Sequence, residues 1–218
     1  MENKNKYDFD FRRECRLGKF LDKHYPQIEK LQKGKLERIN DITEQHKGID
    51  LIYTHDTTGV KVKIDEKAQL NYIDQHLDTF VFEISYLKKK EWRKGWFYDE
   101  KKETEKYFLI TSIKSSCENE FEDFRLISVD RKKLQDHLAG LGLSENKIME
   151  YEKMFRADTN QYKGEQSVPE LPKELGSFHN SFYNLDEGPI NLKLRLSTLL
   201  KKGLAKELKA CNRTSQSK

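Results

Sequence analysis

Read along the chain, the apolar positions change period four times. From Phe11 to about His46, Phe20, Leu21, Tyr25, Ile28, Leu31, Leu36, Ile39 and Ile42 recur mostly at steps of three and four, the spacing that gathers side chains on one helix face. Pro26 and Gly34 break this run, so it predicts a helical opening in two or three pieces. Residues 48–53 (GIDLIY) are β-rich, 54–59 (THDTTG) form a turn cluster, and 60–69 (VKVKIDEKAQ) begin in strict alternation; together they predict a hairpin. Its second strand places Val60, Val62 and Ile64 on one face and Lys61, Lys63, Asp65 and Lys67 on the other. Residues 70–78 read as a short helix or connection. Residues 79–87 (TFVFEISYL) read as a central strand, and 95–99, 106–113 and 124–130 as further strands parted by charged loops, which gives one middle sheet of five or six strands.

Beyond Asp130 the period returns to that of a helix. Leu134, Leu138 and Leu141 share a face, and Ser144 with Glu145 opens a second helix carrying Ile148, Met149, Tyr151, Met154 and Phe155. Residues 157–188, with Pro169 and Pro172 inside and Pro189 just after, read as irregular. Residues 190–208 read as a strand followed by a basic amphipathic helix, or as one helix. Residues 1–9 and 209–218 are polar and predict frayed ends. The fold class that follows is α/β (α+β), a mixed central sheet flanked by helices. It is expected as a single domain over 10–208, with a core at about 38–130 and a helical C-terminal extension at about 131–208.

Composition narrows the classes. Charged residues make up 36% of the 218 and hydrophobic ones 35%, yet 12 Phe, 10 Tyr and 2 Trp are too many for a solvated tail, so the chain reads as folded with a heavily charged surface. No stretch approaches the roughly 18 apolar residues of a spanning helix, and the N-terminus has no signal-like apolar region. Cys15, Cys117 and Cys211 are widely separated and in no C-x-x-C spacing, which suits a reducing compartment such as the cytosol. A net charge of +4 is too small to identify a nucleic-acid binder by itself.

Chemistry concentrates in the hairpin. Asp50 lies in its first strand and Asp65-Glu66-Lys67 close its second. Two strand-borne carboxylates a few ångströms apart suit Mg²⁺, which prefers hard oxygen ligands, water and phosphate. A lysine two residues after the second acid emerges on the same face, where its ammonium can orient a water or meet phosphate charge. Glu66 points to the opposite face by alternation and becomes the substitute ligand only if a bulge turns it inward. The alternative reading makes Asp65 and Lys67 solvated residues of an edge strand and Asp50 part of a turn or salt bridge.

These residues resemble the PD-(D/E)XK nuclease superfamily, whose core is a hairpin with a first acid in one strand and acid-x-Lys in the next. The strings QHKGID, IDEKAQ, TFVFEISYL and GWFYD are similar to those of small bacterial and phage-type members, over about residues 38–113. The resemblance implies a restriction-endonuclease-like fold, with Asp50 and Asp65 as metal ligands, Glu66 as substitute ligand, Lys67 as catalytic lysine and Gln69 as the polar residue that follows it. It also implies Mg²⁺ (or Mn²⁺) as cofactor and a further acid or amide from the preceding helix: Asp41, Glu44 or Gln45. One letter departs, since Ile49 rather than proline precedes Asp50.

The expected activity is hydrolysis of phosphodiesters in nucleic acid, DNA in the first place, and symmetric double-strand cutting would require a homodimer. The rival expectation is a non-catalytic nucleic-acid-binding or protein-interaction module that keeps the nuclease-like sheet; an accidental match in an unrelated α+β protein is the third. Lys88, Lys89, Lys90, Arg93 and Lys94 with Trp92 and Trp96 interleaved form a basic aromatic loop fit for phosphates and a stacked base, or else a solvated hairpin. Lys193, Arg195, Lys201, Lys202, Lys206 and Lys209 make the last segment basic. The six histidines show no zinc spacing, and no nucleophile elbow, phosphate-binding loop or dinucleotide fingerprint occurs.

Overall fold

The computed structural model describes residues 2–117, 120–182 and 187–211, with side chains from residue 12 onward except that of Cys117; residues 212–218 of the polar C-terminus lie outside the described residues. Helices α1 (Glu2–Asp22) and α2 (Tyr25–Gln32) open the chain, so residues 2–9, read as frayed, are helical. Helix α2 stops because Lys33 is left-handed at φ 55°. The next residues then form a strand, β1 (Gly34–Arg38), where a helix was expected. Gly34 makes this possible, since a Cβ there would run into the Tyr53 ring of the neighbouring strand. A short helix, α3 (Ile42–His46), leads into the predicted hairpin, β2 (Leu51–His55) and β3 (Lys61–Ala68).

The middle of the chain holds two sheets rather than one. Strands β4 (Thr79–Lys88) and β5 (Glu91–Lys94) leave the hairpin and found the second sheet, before β6 (Lys106–Cys117) and β7 (Glu120–Asp130) return to the first. Residues 95–99 are not a strand: β5 ends at Lys94, and Gly95 is pressed so close to the Glu83 carbonyl that the chain turns there and tucks Trp96 and Phe97 inward. Helices α4 (Arg131–Gly140) and α5 (Glu145–Ala157) follow as expected, capped by Asp130 and Ser144, whose side chains accept from Lys133 N and Lys147 N.

Residues 157–188 are not simply irregular, and from residue 190 the reading of a strand followed by a helix is the one observed, with a further strand in place of the helix's second half. This part of the chain contains β8 (Gly164–Gln166), β9 (Gly176–Asn180), β10 (Ile190–Arg195), α6 (Leu196–Lys201) and β11 (Ala205–Lys209). The first sheet runs β1-β2-β3-β6-β7-β11, with β3 and β6 parallel, and the second runs β5-β4-β10-β9-β8. The class is thus mixed α/β with a six-stranded mixed sheet, and the last third of the chain completes both sheets instead of extending a finished core.

Two apolar layers enclose the first sheet. On one face Ile64, Phe108, Ile110, Phe124 and Leu126 meet Leu17, Leu21, Tyr25 and Ile28 of α1 and α2. On the other, Tyr107, Leu109, Ile127 and Val129 face Phe80, Phe82, Leu192 and Leu194 of the second sheet, with Leu134, Ile148 and Phe155 from α4 and α5. The Phe82 and Tyr107 ring centroids lie 6.1 Å apart, edge to face, across the two sheets. Strand β3 therefore separates two environments, and its odd and even side chains enter different ones.

Candidate functional site

The turn after α3 sets the first carboxylate. Gly48 is left-handed at φ 75°, a Cβ there would collide with the Thr104 hydroxyl, and its carbonyl accepts that hydroxyl at 2.7 Å. The turn delivers Ile49 into the core at 0% exposure and brings Asp50 to the start of β2. Asp50 is then fixed by its own backbone, which donates to the Ile64 carbonyl at 2.9 Å and accepts from Ile39 N at 2.8 Å. Its carboxylate reaches across to β3 and accepts the Glu66 backbone N–H at 2.8 Å.

Asp65 meets it from β3. The side chain faces the layer between the sheets, beside Tyr107 of β6, and the residue is 2% exposed. Its carboxyl is within hydrogen-bonding reach of that of Asp50, and Lys67 Nζ donates to Asp65 Oδ1 at 2.6 Å. Burial pushes the Asp65 carboxyl up to about 7; Lys67 opposes the shift and Asp50 adds to it. Burial alone would lower the Lys67 ammonium, but Asp65, with Asp50 and Glu83 behind it, holds it above the ordinary lysine value. The ammonium also lies 5.4 Å from the Trp96 ring centroid. Asp50, Asp65 and Lys67 are thus drawn into one cluster, and the solvated edge-strand alternative fails because β3 is an interior strand.

Glu66 is a correction to its role as a metal ligand. No bulge turns it inward, and it lies on the helical face of the sheet, where Arg38 Nη1 donates to Oε2 at 2.5 Å and the Tyr25 hydroxyl donates to Oε1. Burial raises the Glu66 carboxyl, with Arg38 only partly offsetting it. Only its backbone N–H serves Asp50.

The residues expected to complete the site are occupied elsewhere. Asp41 caps α3 by accepting Thr43 N at 2.7 Å, Glu44 pairs with Lys47 at 2.7 Å, and Gln45 donates to the Ile39 carbonyl at 2.9 Å. Gln69 follows the end of β3 and donates to the Thr79 carbonyl at 2.8 Å, tying the hairpin to the start of β4. Among the described residues no group of three or more His, Cys, Asp or Glu could hold a metal. The fit for Mg²⁺ thus rests on two hard carboxylates, Asp50 and Asp65, a number sufficient for an ion that keeps waters and takes substrate phosphate oxygens.

One nearby acid was missed. Glu83, in the middle of apolar β4, accepts the Trp96 backbone N–H and exerts its charge on Lys67; burial and then Glu187 raise its carboxyl. The signal was a lone charge inside the run TFVFEISYL.

The basic aromatic loop is the β4–β5 hairpin, turned by left-handed Lys89 and Lys90 at φ 53° and 65°. Lys88, Lys89 and Lys90 are exposed. Lys94 pairs with Glu145 at 2.7 Å and with Glu100, Arg93 pairs with Glu91 at 2.5 Å, and the Arg156 guanidinium covers Trp92 at 3.3 Å. The C-terminal cations do not form one basic helix either. Lys193 lies on β10 beside Glu165 and Lys206 on β11 beside Gln32, leaving only Lys201 from that set within α6. No protein-family model, curated protein or solved structure matches the chain.

Proposed function

We propose that the protein hydrolyses phosphodiester bonds of nucleic acid, with DNA as the first substrate to consider, at the Asp50–Asp65–Lys67 cluster with Mg²⁺ or Mn²⁺ as cofactor. The single observation that supports this reading is the convergence of two carboxyl groups, Asp50 just before β2 and Asp65 on β3, with a lysine of the same β3 face bonded to the buried one. Asp50 and Asp65 would hold the ion, which when bound supplies an acidified water and neutralises charge on the phosphate. Lys67, bonded to Asp65 and on the same strand face, would orient the water or meet a non-bridging phosphate oxygen. Glu83 and Trp96 keep the ammonium charged and in place. Exposed Lys88, Lys89 and Lys90 offer unspecific contact with the phosphate backbone.

The second reading, a nucleic-acid-binding or protein-interaction module without turnover, is favoured by one observation: Asp65 already has its counter-charge in Lys67 and is 2% exposed. One experiment separates the two. Purified protein is incubated with plasmid, linear and single-stranded DNA in Mg²⁺ or Mn²⁺ beside Asp65→Asn and Lys67→Ala. Metal-dependent cleavage lost in both folded variants supports hydrolysis. Salt-sensitive binding without cleavage in all three proteins supports the module.

A further inference from the structure

The helical face of the first sheet is only partly covered. Helix α2 ends at Gln32, and past that point the sheet carries a cavity of about 340 Å³. Its floor is Tyr53, Val62, Ile64 and Phe108, continued by Leu204 and Leu208 at the C-terminal edge. The cavity is half open to solvent; at its margin Lys206 of β11 donates to Gln32 Oε1 at 2.9 Å and the Tyr53 hydroxyl donates to the Gln32 carbonyl at 2.6 Å, tying both to the end of α2. The void lies on the opposite face of β3 from Asp65, so it is not part of the site above.

Its polar groups are unevenly charged. Lys106, Lys133 and Lys206 line it against a single acid, Asp130. That acid is the cross-strand neighbour of Lys106 and accepts Lys133 N at 2.9 Å as the cap of α4, its charge leaving the lining with a net positive balance, and the Lys133 ammonium donates to the Gly203 carbonyl at 2.8 Å. Lys106 has no hydrogen-bond or ion-pair partner for its ammonium among the described residues, although it stands half-buried at the rim. An apolar floor, part aliphatic and part aromatic, beside a cation with no ion-pair partner is complementary to a molecule with an apolar body and an anionic end. A nucleobase fits less well. The Tyr53 ring abuts Gly34, Phe108 is only 4% exposed, and the Gln32 side-chain oxygen, an acceptor for a base edge, already accepts from Lys206.

We propose that this cavity binds an aliphatic chain of medium length ending in an anionic head group, with the chain over Val62, Ile64 and Leu208 and the head group on Lys106. The volume stands at the small end of the roughly 300–1,000 Å³ of small-molecule sites, which suits a chain of about ten carbons.

The test is calorimetric titration of the full chain, below micellar concentrations, with decanoate, octanoate, decyltrimethylammonium and adenosine monophosphate. The expected result is saturable binding of decanoate, weakened about fourfold for each methylene removed. Lys106→Met lowers decanoate affinity about tenfold with an unchanged unfolding midpoint, and Val62→Phe, which narrows the void, penalises decanoate more than octanoate. Lys106→Met keeps the aliphatic stem, so the readout survives should a charge-reversing Lys106→Glu fail to fold beside Asp130. Equal binding of the cationic decyl compound, tighter binding of adenosine monophosphate, indifference to Lys106→Met, or no saturable binding of decanoate would each overturn the proposal.

Discussion

Lys67 Nζ stands 2.6 Å from Asp65 Oδ1, two residues back along the same face of β3, and this pair balances charge beside the layer between the sheets. Asp65 is 2% exposed, whereas the Lys67 side chain retains 29%, so the lysine is the more accessible member of the pair. Removing Lys67 leaves an uncompensated buried acid. Lys67→Met is therefore expected to destabilise the fold by about 3 kcal/mol in urea unfolding at alkaline pH, where Asp65 is charged beside Lys67 in the wild type, and Asp65→Asn on top of it to recover most of that loss. Additive losses in the double variant would show that the two side chains do not interact.

Asp65 also makes stability depend on pH. Its carboxyl moves from an ordinary 3.8 to about 7 in the folded chain. Between these values the folded state holds a proton that the unfolded state has released, so the stabilising contribution is present at low pH and is lost as pH rises from about 4 to about 7. His24 and His179, both lowered first by burial, act in the opposite sense. The difference between wild type and Asp65→Asn isolates the carboxyl. The wild-type curve should fall relative to the variant's with rising pH, at a limiting slope of about 1.4 kcal/mol per unit. Parallel curves would place the Asp65 titration near its ordinary value.

The Arg38–Glu66–Tyr25 group is the counterpart on the other face. Arg38 joins the first strand to Glu66, and Tyr25 closes the group from α2. Arg38→Met strips the buried Glu66 of its counter-charge and is expected to cost about 3 kcal/mol. Asp22, the other carboxylate on Arg38, has a side chain 44% exposed, so Asp22→Asn should cost under about 1 kcal/mol. Both losses are read as shifts in the urea midpoint, and equal costs would contradict the difference in burial.

How far the fold could be read follows from the same strand. Alternation in 60–69 sent Asp65 and Lys67 one way and Glu66 the other, because a two-residue period is a local property of extended chain. Local pattern did not show that residues 79–94 leave the first sheet, since an apolar run such as TFVFEISYL fits the centre of either sheet. The strand read from residue 190 is β10, but local pattern did not show β1, β8, β9 or β11. Each is a short piece of at most six residues, and its strand character comes from a partner distant in sequence, as Gly34–Arg38 does from Leu51–His55 and Ala205–Lys209 from β7. Glu66 has a local reason to be charged only once Arg38 and Tyr25, 28 and 41 residues away, are brought to it.

Metal linkage tests the division of labour between Asp65 and Glu66. An ion that binds only the folded state raises stability with concentration, by about 2.7 kcal/mol at a hundredfold excess over its dissociation constant. Mg²⁺ or Mn²⁺ should therefore raise the thermal midpoint of the wild type, and the rise should vanish in Asp50→Asn and Asp65→Asn. It should persist in Glu66→Gln, whatever that variant's starting midpoint, because Glu66 lies on the other face of the sheet. A rise that disappears with Glu66 and survives the loss of Asp65 would reverse the assignment.

Glu83 offers a way to tell a positioning role from a structural one. Its charge helps keep Lys67 protonated, and it accepts the backbone N–H of Trp96, whose ring lies beside the Lys67 ammonium. If cleavage requires a charged Lys67, the rate declines on the alkaline side where that ammonium loses its proton. Glu83→Gln keeps an acceptor for Trp96 N–H but removes the charge. The alkaline limb of the pH–rate profile should then move to lower pH, with a rate loss at the optimum of only about threefold. A purely structural Glu83 would lower the rate evenly across pH and leave the limb where it was. Trp96→Leu provides the complementary case, since it removes the ring from Lys67 while leaving the carboxylate of Glu83 in place, and it should shift the same limb in the same direction.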